Sequence, residues 1–77
     1  MRTAAALRTL LKGLRTRTAR HDDGWWVTST TRWPFDNLHG QERTREAARR
    51  SFYNGLRDLV ELYELYGLPR RNRRRAA

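Results

Sequence analysis

The stretch WWVTSTTRW at residues 25–33 decides the fold that the sequence predicts. It is rich in β-branched and aromatic residues, which favour an extended strand. Strand alternation places Trp25, Val27, Thr31 and Trp33 on one face. The following Pro34 ends the strand, because proline cannot donate a backbone hydrogen bond. The Asp-Gly pair within residues 21–24 indicates a turn just before it.

No other segment has this composition, so the sequence predicts one strand without a partner in its own chain. We therefore expect residues 25–33 either to lie as an extended arm on helices or to pair with a strand of another chain. The predicted fold class is mainly α, with an N-terminal amphipathic helix, one extended β-like segment, a long C-terminal amphipathic helix and basic tails.

Before this segment, residues 3–19 are predicted to form the first helix. Its leucines recur at the spacing of one helix face, at Leu7, Leu10, Leu11 and Leu14. A basic stripe of Arg8, Lys12 and Arg15 adjoins them. The segment is rich in Arg, lacks acids and resembles a mitochondrial targeting presequence, which makes a mitochondrial location an alternative.

After the segment, residues 41–66 have the strongest helical periodicity in the chain. Their apolar stripe consists of Phe52, Leu56, Leu59, Tyr63 and Tyr66. Gly67 and Pro69 are predicted to end this helix. We expect the leucines of the first helix to pack against the stripe, with the tryptophans covering the seam.

The chain therefore divides into a basic amphipathic helix (1–20), a turn with the extended Trp-rich segment and a linker (21–40), a long helix (41–67) and an Arg-rich tail (68–77). Its net charge of +9 is concentrated at the two ends. Residues 1–20 carry six basic residues and no acid, and residues 70–77 carry five arginines. Such ends attract polyanions, and Arg suits phosphate because its planar group donates paired hydrogen bonds.

Catalysis and metal binding are not expected from this sequence. It has no cysteine, its two histidines match no metal-site spacing, and it contains no nucleophile or phosphate-loop motif. We predict that the protein is not an enzyme and uses no cofactor. No apolar run approaches the roughly 18 residues of a membrane-spanning helix, so a membrane partner is not expected either.

The leading hypothesis is a small non-catalytic protein that binds the phosphate backbone of DNA or RNA, as a free protein or as a component of a ribonucleoprotein or virus particle. It would act in the cytoplasm or within a virion. The predicted contact residues are Arg8, Lys12, Arg15, Arg70, Arg71, Arg73, Arg74 and Arg75.

Two alternatives concern protein partners. The first is an accessory or scaffold subunit of a larger complex, or a self-associating chain, whose interface consists of Trp25, Trp26, Val27, Trp33, Phe52, Leu56, Leu59, Tyr63 and Tyr66. The second is a dimeric DNA-binding regulator in which residues 25–33 pair across a two-fold axis. That arrangement loosely resembles a ribbon-helix-helix protein, although the basic helix in front and the uninterrupted periodicity through Asn54-Gly55 depart from that pattern.

Overall fold

The chain forms a three-stranded sheet covered on one face by the C-terminal helix, and the N-terminal helix packs against the C-terminal helix. The computed structural model describes residues 2–70, with side chains from Ala4 onward. In chain order, the elements are α1 (Arg2–Lys12), β1 (Arg17–Arg20), β2 (Trp26–Ser29), β3 (His39–Glu42) and α2 (Arg45–Tyr66). The predicted mainly α class is therefore wrong, because the fold is α+β.

The sheet is antiparallel throughout, with strand order β1-β2-β3. Thr18, Thr28 and Gly40 lie side by side across the three strands, and Arg20, Trp26 and Glu42 lie side by side at one end of the sheet. Because β2 is the central strand, both of its edges are already paired within the chain. The predictions that this segment lies as an arm or pairs with a second chain are wrong, and β2 has no free edge for pairing across a two-fold axis.

The first helix is shorter than predicted, and β1 takes the place of its last turns. α1 ends at Lys12, and the Leu14 N–H donates to the Leu11 carbonyl in the turn that follows. From there the chain extends, with the Thr18 side chain half-buried and Arg17 exposed. The hydroxyl groups of Thr18 and Thr28 are joined by a hydrogen bond of 2.8 Å across the β1–β2 pair.

The turn predicted at residues 21–24 is confirmed, and it closes the β1–β2 hairpin. The His21 N–H donates to the Trp25 carbonyl at 2.7 Å, and Gly24 has a φ of 90°, where L side chains are strained. The Asp23 carboxylate accepts the N–H of Trp25 at 3.1 Å. The hairpin thus places Trp25 and Trp26 at the end of the sheet where α2 begins.

The strand predicted over residues 25–33 is only four residues long, and a loop follows it from residue 30. The Thr30 hydroxyl donates to the Arg15 carbonyl at 2.7 Å, which directs the chain away from the sheet. Through this loop, which includes a cis Trp33–Pro34 peptide bond, Phe35 reaches a fully buried position. Phe35 was predicted to lie in a linker, and it fills the place expected for the tryptophans.

α2 begins four residues later than predicted, because residues 41–42 belong to β3. Gly40 makes this possible, since a Cβ there would collide with the backbone of Ala48 and Phe52. α2 therefore rests directly on β3. Thr44 is the N-cap, with its hydroxyl accepting the Ala47 N–H at 3.1 Å, and the helix continues without a break past Gly55.

The hydrophobic core lies between the two helices, the sheet and the residue 30–38 loop. Its buried residues are Leu7, Phe35, Phe52 and Leu56, and the residues packed around them are Leu10, Leu11, Leu14, Leu38, Leu59, Val60, Tyr63 and Leu68. The predicted packing of the first helix against the Phe52 stripe is confirmed. α2 ends at Tyr66, where the N–H of Gly67 donates to the Tyr63 carbonyl at 2.7 Å.

Candidate nucleic-acid interface

Two of the cations predicted on the first helix do lie exposed on α1. Arg8 and Lys12 are one turn apart and face solvent, while Leu7 of the same helix is buried. Arg15 is also exposed, but it follows the end of α1 and therefore does not continue their stripe. We call Arg8 and Lys12 the α1 cations.

The predicted tail contacts are described only at their start. Arg70 is exposed, whereas Arg71, Arg73, Arg74 and Arg75 lie outside the described residues. The contribution of these four arginines to phosphate binding stays a prediction.

A further group of arginines, which the sequence reasoning missed, surrounds the beginning of α2. These residues are Arg43, Arg45, Arg49 and Arg50, all exposed, and we call them the α2 arginine cluster. The Thr44 cap fixes the start of the helix and therefore fixes where these side chains leave it. The guanidinium of Arg43 lies 4.1 Å from the centroid of the Trp25 ring, a cation–π distance.

The sequence contained a signal for this cluster. The charges of residues 21–69 nearly cancel on average, but the average conceals four arginines against one acid within residues 43–50. The balancing acids lie further along α2, at Asp58, Glu61 and Glu64, where no basic residue is present. Counting charged residues over shorter segments distinguishes the basic beginning of α2 from its acidic end.

None of these exposed cations is neutralised by an ion pair within residues 2–70. Only three of the described arginine side chains, within residues 4–70, have a polar or aromatic partner inside the chain. Arg32 donates to the Gly13 carbonyl, Arg57 donates to the Asn54 side chain, and Arg43 stacks on Trp25. The α1 cations and Arg45, Arg49 and Arg50 are thus available to anions from outside.

The predicted protein-interface residues have three different environments. Phe52 and Leu56 are buried in the chain's own core, so in this fold they cannot contact a partner. Trp25, Trp26, Val27, Trp33, Leu59 and Tyr63 are half-buried. Tyr66 alone is largely exposed.

Tyr63 joins α2 to the loop that carries Phe35. Its hydroxyl donates to the Pro34 carbonyl at 3.1 Å, and its ring lies 6.3 Å from that of Phe35. Burial, and to a smaller extent the negative charge of Asp36, raise the pKa of Tyr63 above its usual value of 10.0. The neutral, hydrogen-bonding form of this side chain is therefore favoured.

The two histidines lie at the ends of the outer strands, with His21 just after β1 and His39 at the start of β3. A groove of about 430 Å³ on the open face of the sheet has Arg17, His21 and Asp22 along it. His39 lies on β3, which is separated from β1 by the central strand β2. Within residues 2–70 no group of three or more His, Asp or Glu is placed to hold a metal ion.

Comparison of the chain with protein-family models, with curated proteins and with solved structures gave no match. In the described part of the chain, neither helix has the length and apolar character needed to cross a membrane.

Proposed function

We propose that this chain binds nucleic acid through the phosphate backbone, with the α1 cations and the α2 arginine cluster as its contact residues. The observation that carries the proposal is the separation of charge. The cations lie on α1 and at the beginning of α2 without ion pairs, while three of the four acids of α2, Asp58, Glu61 and Glu64, lie toward its other end. A chain selected only for solubility would gain nothing from this segregation, because mixed surface charges serve that purpose.

Arginine is the better residue for such contacts because its planar group can donate two parallel hydrogen bonds to a phosphate. Each cation that neutralises a phosphate releases a counterion, so affinity falls steeply with salt. Phosphate contacts carry no base information directly. We therefore expect binding without base-sequence preference.

The test is a fluorescence polarisation titration of a labelled DNA duplex, repeated over a series of salt concentrations. Arg49→Gln and Arg8→Gln should each weaken binding. Each should also make the fall of log K with log salt less steep by about 0.9, the value for one lost phosphate contact. Removal of residues 71–77 should make this fall less steep still if the tail arginines take part.

Arg57→Gln is the matched control. It removes the same charge from the same helix as Arg49→Gln, but Arg57 lies outside the α2 arginine cluster and next to Asp58. Its salt slope should equal that of the unmodified chain. The proposal fails if the unmodified chain does not bind the duplex at low salt, or if Arg57→Gln and Arg49→Gln lower the slope equally.

A further inference from the structure

The last two turns of α2 carry an apolar stripe that nothing in the described chain covers. Leu62, Leu65 and Tyr66 are 48%, 75% and 80% exposed. Leu65 and Tyr66 follow Leu62 by three and four residues, so both neighbour Leu62 on one side of the helix. Single exposed apolar residues are ordinary, but a contiguous group at helical spacing marks an interaction surface.

This stripe is bordered by negative charge. Asp58 precedes Leu62 by one turn and Glu61 precedes Leu65 by one turn, so both carboxylates adjoin the apolar side chains. Both are exposed, and neither has an ion-pair partner within residues 2–70. No basic residue occurs between Arg57 and Arg70.

We propose that this stripe is a docking surface for a cationic amphipathic helix of another protein. Such a helix would place its apolar residues over Leu62, Leu65 and Tyr66 and its Lys or Arg side chains beside Asp58 and Glu61. Helices of this kind bind grooves and faces through apolar residues at i, i+3, i+4 and i+7. The charge border selects a basic partner over an acidic one.

A second copy of the chain does not complement this surface. Parallel pairing of α2 with α2 would bring the same acids together from both copies, at a cost in repulsion. The exposed side of α1 is basic, but it consists of Ala5, Arg8, Thr9 and Lys12 and would leave Leu65 and Tyr66 without an apolar partner. The leucines of α1 are already packed in the core.

The surface lies toward the opposite end of α2 from the α2 arginine cluster. The same acids that would attract a basic helix repel phosphate. The inference therefore stands or falls without the proposed function.

The test uses synthetic peptides as probes, measured by isothermal titration calorimetry with the whole chain. The first peptide is helical, with Leu at positions i, i+3, i+4 and i+7 and Lys elsewhere. The second has the same composition with the leucines distributed around the helix, and the third keeps the Leu stripe but replaces Lys with Glu. We expect binding of the first peptide, and at least tenfold weaker binding of the other two.

Two variants of the chain locate the site. The double variant Leu65→Ser/Tyr66→Ser should weaken binding of the first peptide at least tenfold, which corresponds to about 1.4 kcal/mol. Glu61→Gln should weaken it several-fold, whereas Asp22→Asn, which removes an exposed acid from the β1–β2 turn, should leave it unchanged. Circular dichroism confirms that each variant is folded.

Three outcomes would overturn the proposal. The acidic peptide could bind as tightly as the basic one, which would remove the role of Asp58 and Glu61. The Leu65→Ser/Tyr66→Ser variant could bind the basic peptide with unchanged affinity. Sedimentation could show a dimer that this double variant converts to a monomer, in which case a second copy covers the stripe.

Discussion

Replacing Gly40 with Ala adds only one methyl group, but it should destabilise this fold substantially. A Cβ at residue 40 would lie 2.9 Å from the Phe52 Cα and would also meet the Ala48 carbonyl oxygen and the Phe52 nitrogen. All three atoms belong to the backbone of α2, so no side chain can rotate away. The whole helix would have to move off β3.

The magnitude follows from the kind of obstacle. Adding a methyl group to a packed interior costs about 1–3 kcal/mol, and a rigid backbone obstacle belongs at the upper end of that range. The more restricted unfolded chain offsets about 0.4–1 kcal/mol. We expect a net loss of about 2 kcal/mol, which lowers Tm by about 8–16 °C in a domain of this length. Total stability for 77 residues is only about 4–12 kcal/mol.

Urea denaturation followed by circular dichroism and by Trp fluorescence measures this loss. Gly13→Ala is the control, because a Cβ there would meet only the Arg32 Nη2 atom at 3.5 Å, an ordinary contact with a flexible side chain. It should leave stability unchanged or raise it by up to about 1 kcal/mol, because only the restriction of the unfolded chain acts there. Equal stabilities for the two variants would show that α2 does not rest on Gly40 as described.

Two further predictions concern buried polar contacts. Thr28→Val should cost about 1–2 kcal/mol because it leaves the Thr18 hydroxyl without its 2.8 Å partner. In a double-mutant cycle, the Thr18→Val/Thr28→Val double variant should recover part of that loss. Additive losses would show that the two hydroxyls do not interact. Tyr63→Phe should cost about 0.5–1.5 kcal/mol at neutral pH by removing the bond to the Pro34 carbonyl. Because folding raises the pKa of Tyr63, the contribution of this side chain to stability is fully present below about pH 10 and falls as pH rises through the folded pKa. The difference in stability between the unmodified chain and Tyr63→Phe should therefore shrink at high pH. A constant difference in urea denaturation would contradict the raised pKa.

Periodicity in the sequence predicted the elements that have an apolar face of their own. The α2 stripe at Phe52 and Leu56, the leucines of α1 and the turn at residues 21–24 were predicted from local pattern, and the structure confirms them. Each depends on residues close together in the chain. Local spacing is sufficient to reveal them.

β1 and β3 could not be found in this way. Arg17–Arg20 and His39–Glu42 are four residues each, contain no large apolar side chain and have little intrinsic preference for a strand. They become strands because β2 has an edge on either side whose backbone groups need hydrogen-bond partners. The alternation of Thr and Arg at residues 16–18 was the available signal for β1, and Gly13 was the signal that the helix ends before it.

The candidate site was predicted in part. Arg8 and Lys12 lie exposed on α1 as expected, whereas Arg15 does not share their helix. The α2 arginine cluster was missed because charge was averaged over a segment whose two halves have opposite sign. The placement of Arg43 beside Trp25 also depends on the β1–β2 hairpin, which the sequence did not predict.

The shortness of the two outer strands has a consequence for the behaviour of the purified protein. Exposed strand edges invite further strands to add, and this addition is the first step toward fibrils. Here each edge extends over only four residues, with Arg17 and Arg20 on one side and Glu42 on the other. Sheet growth would stop at these residues, so concentrated solutions should remain free of ordered aggregates.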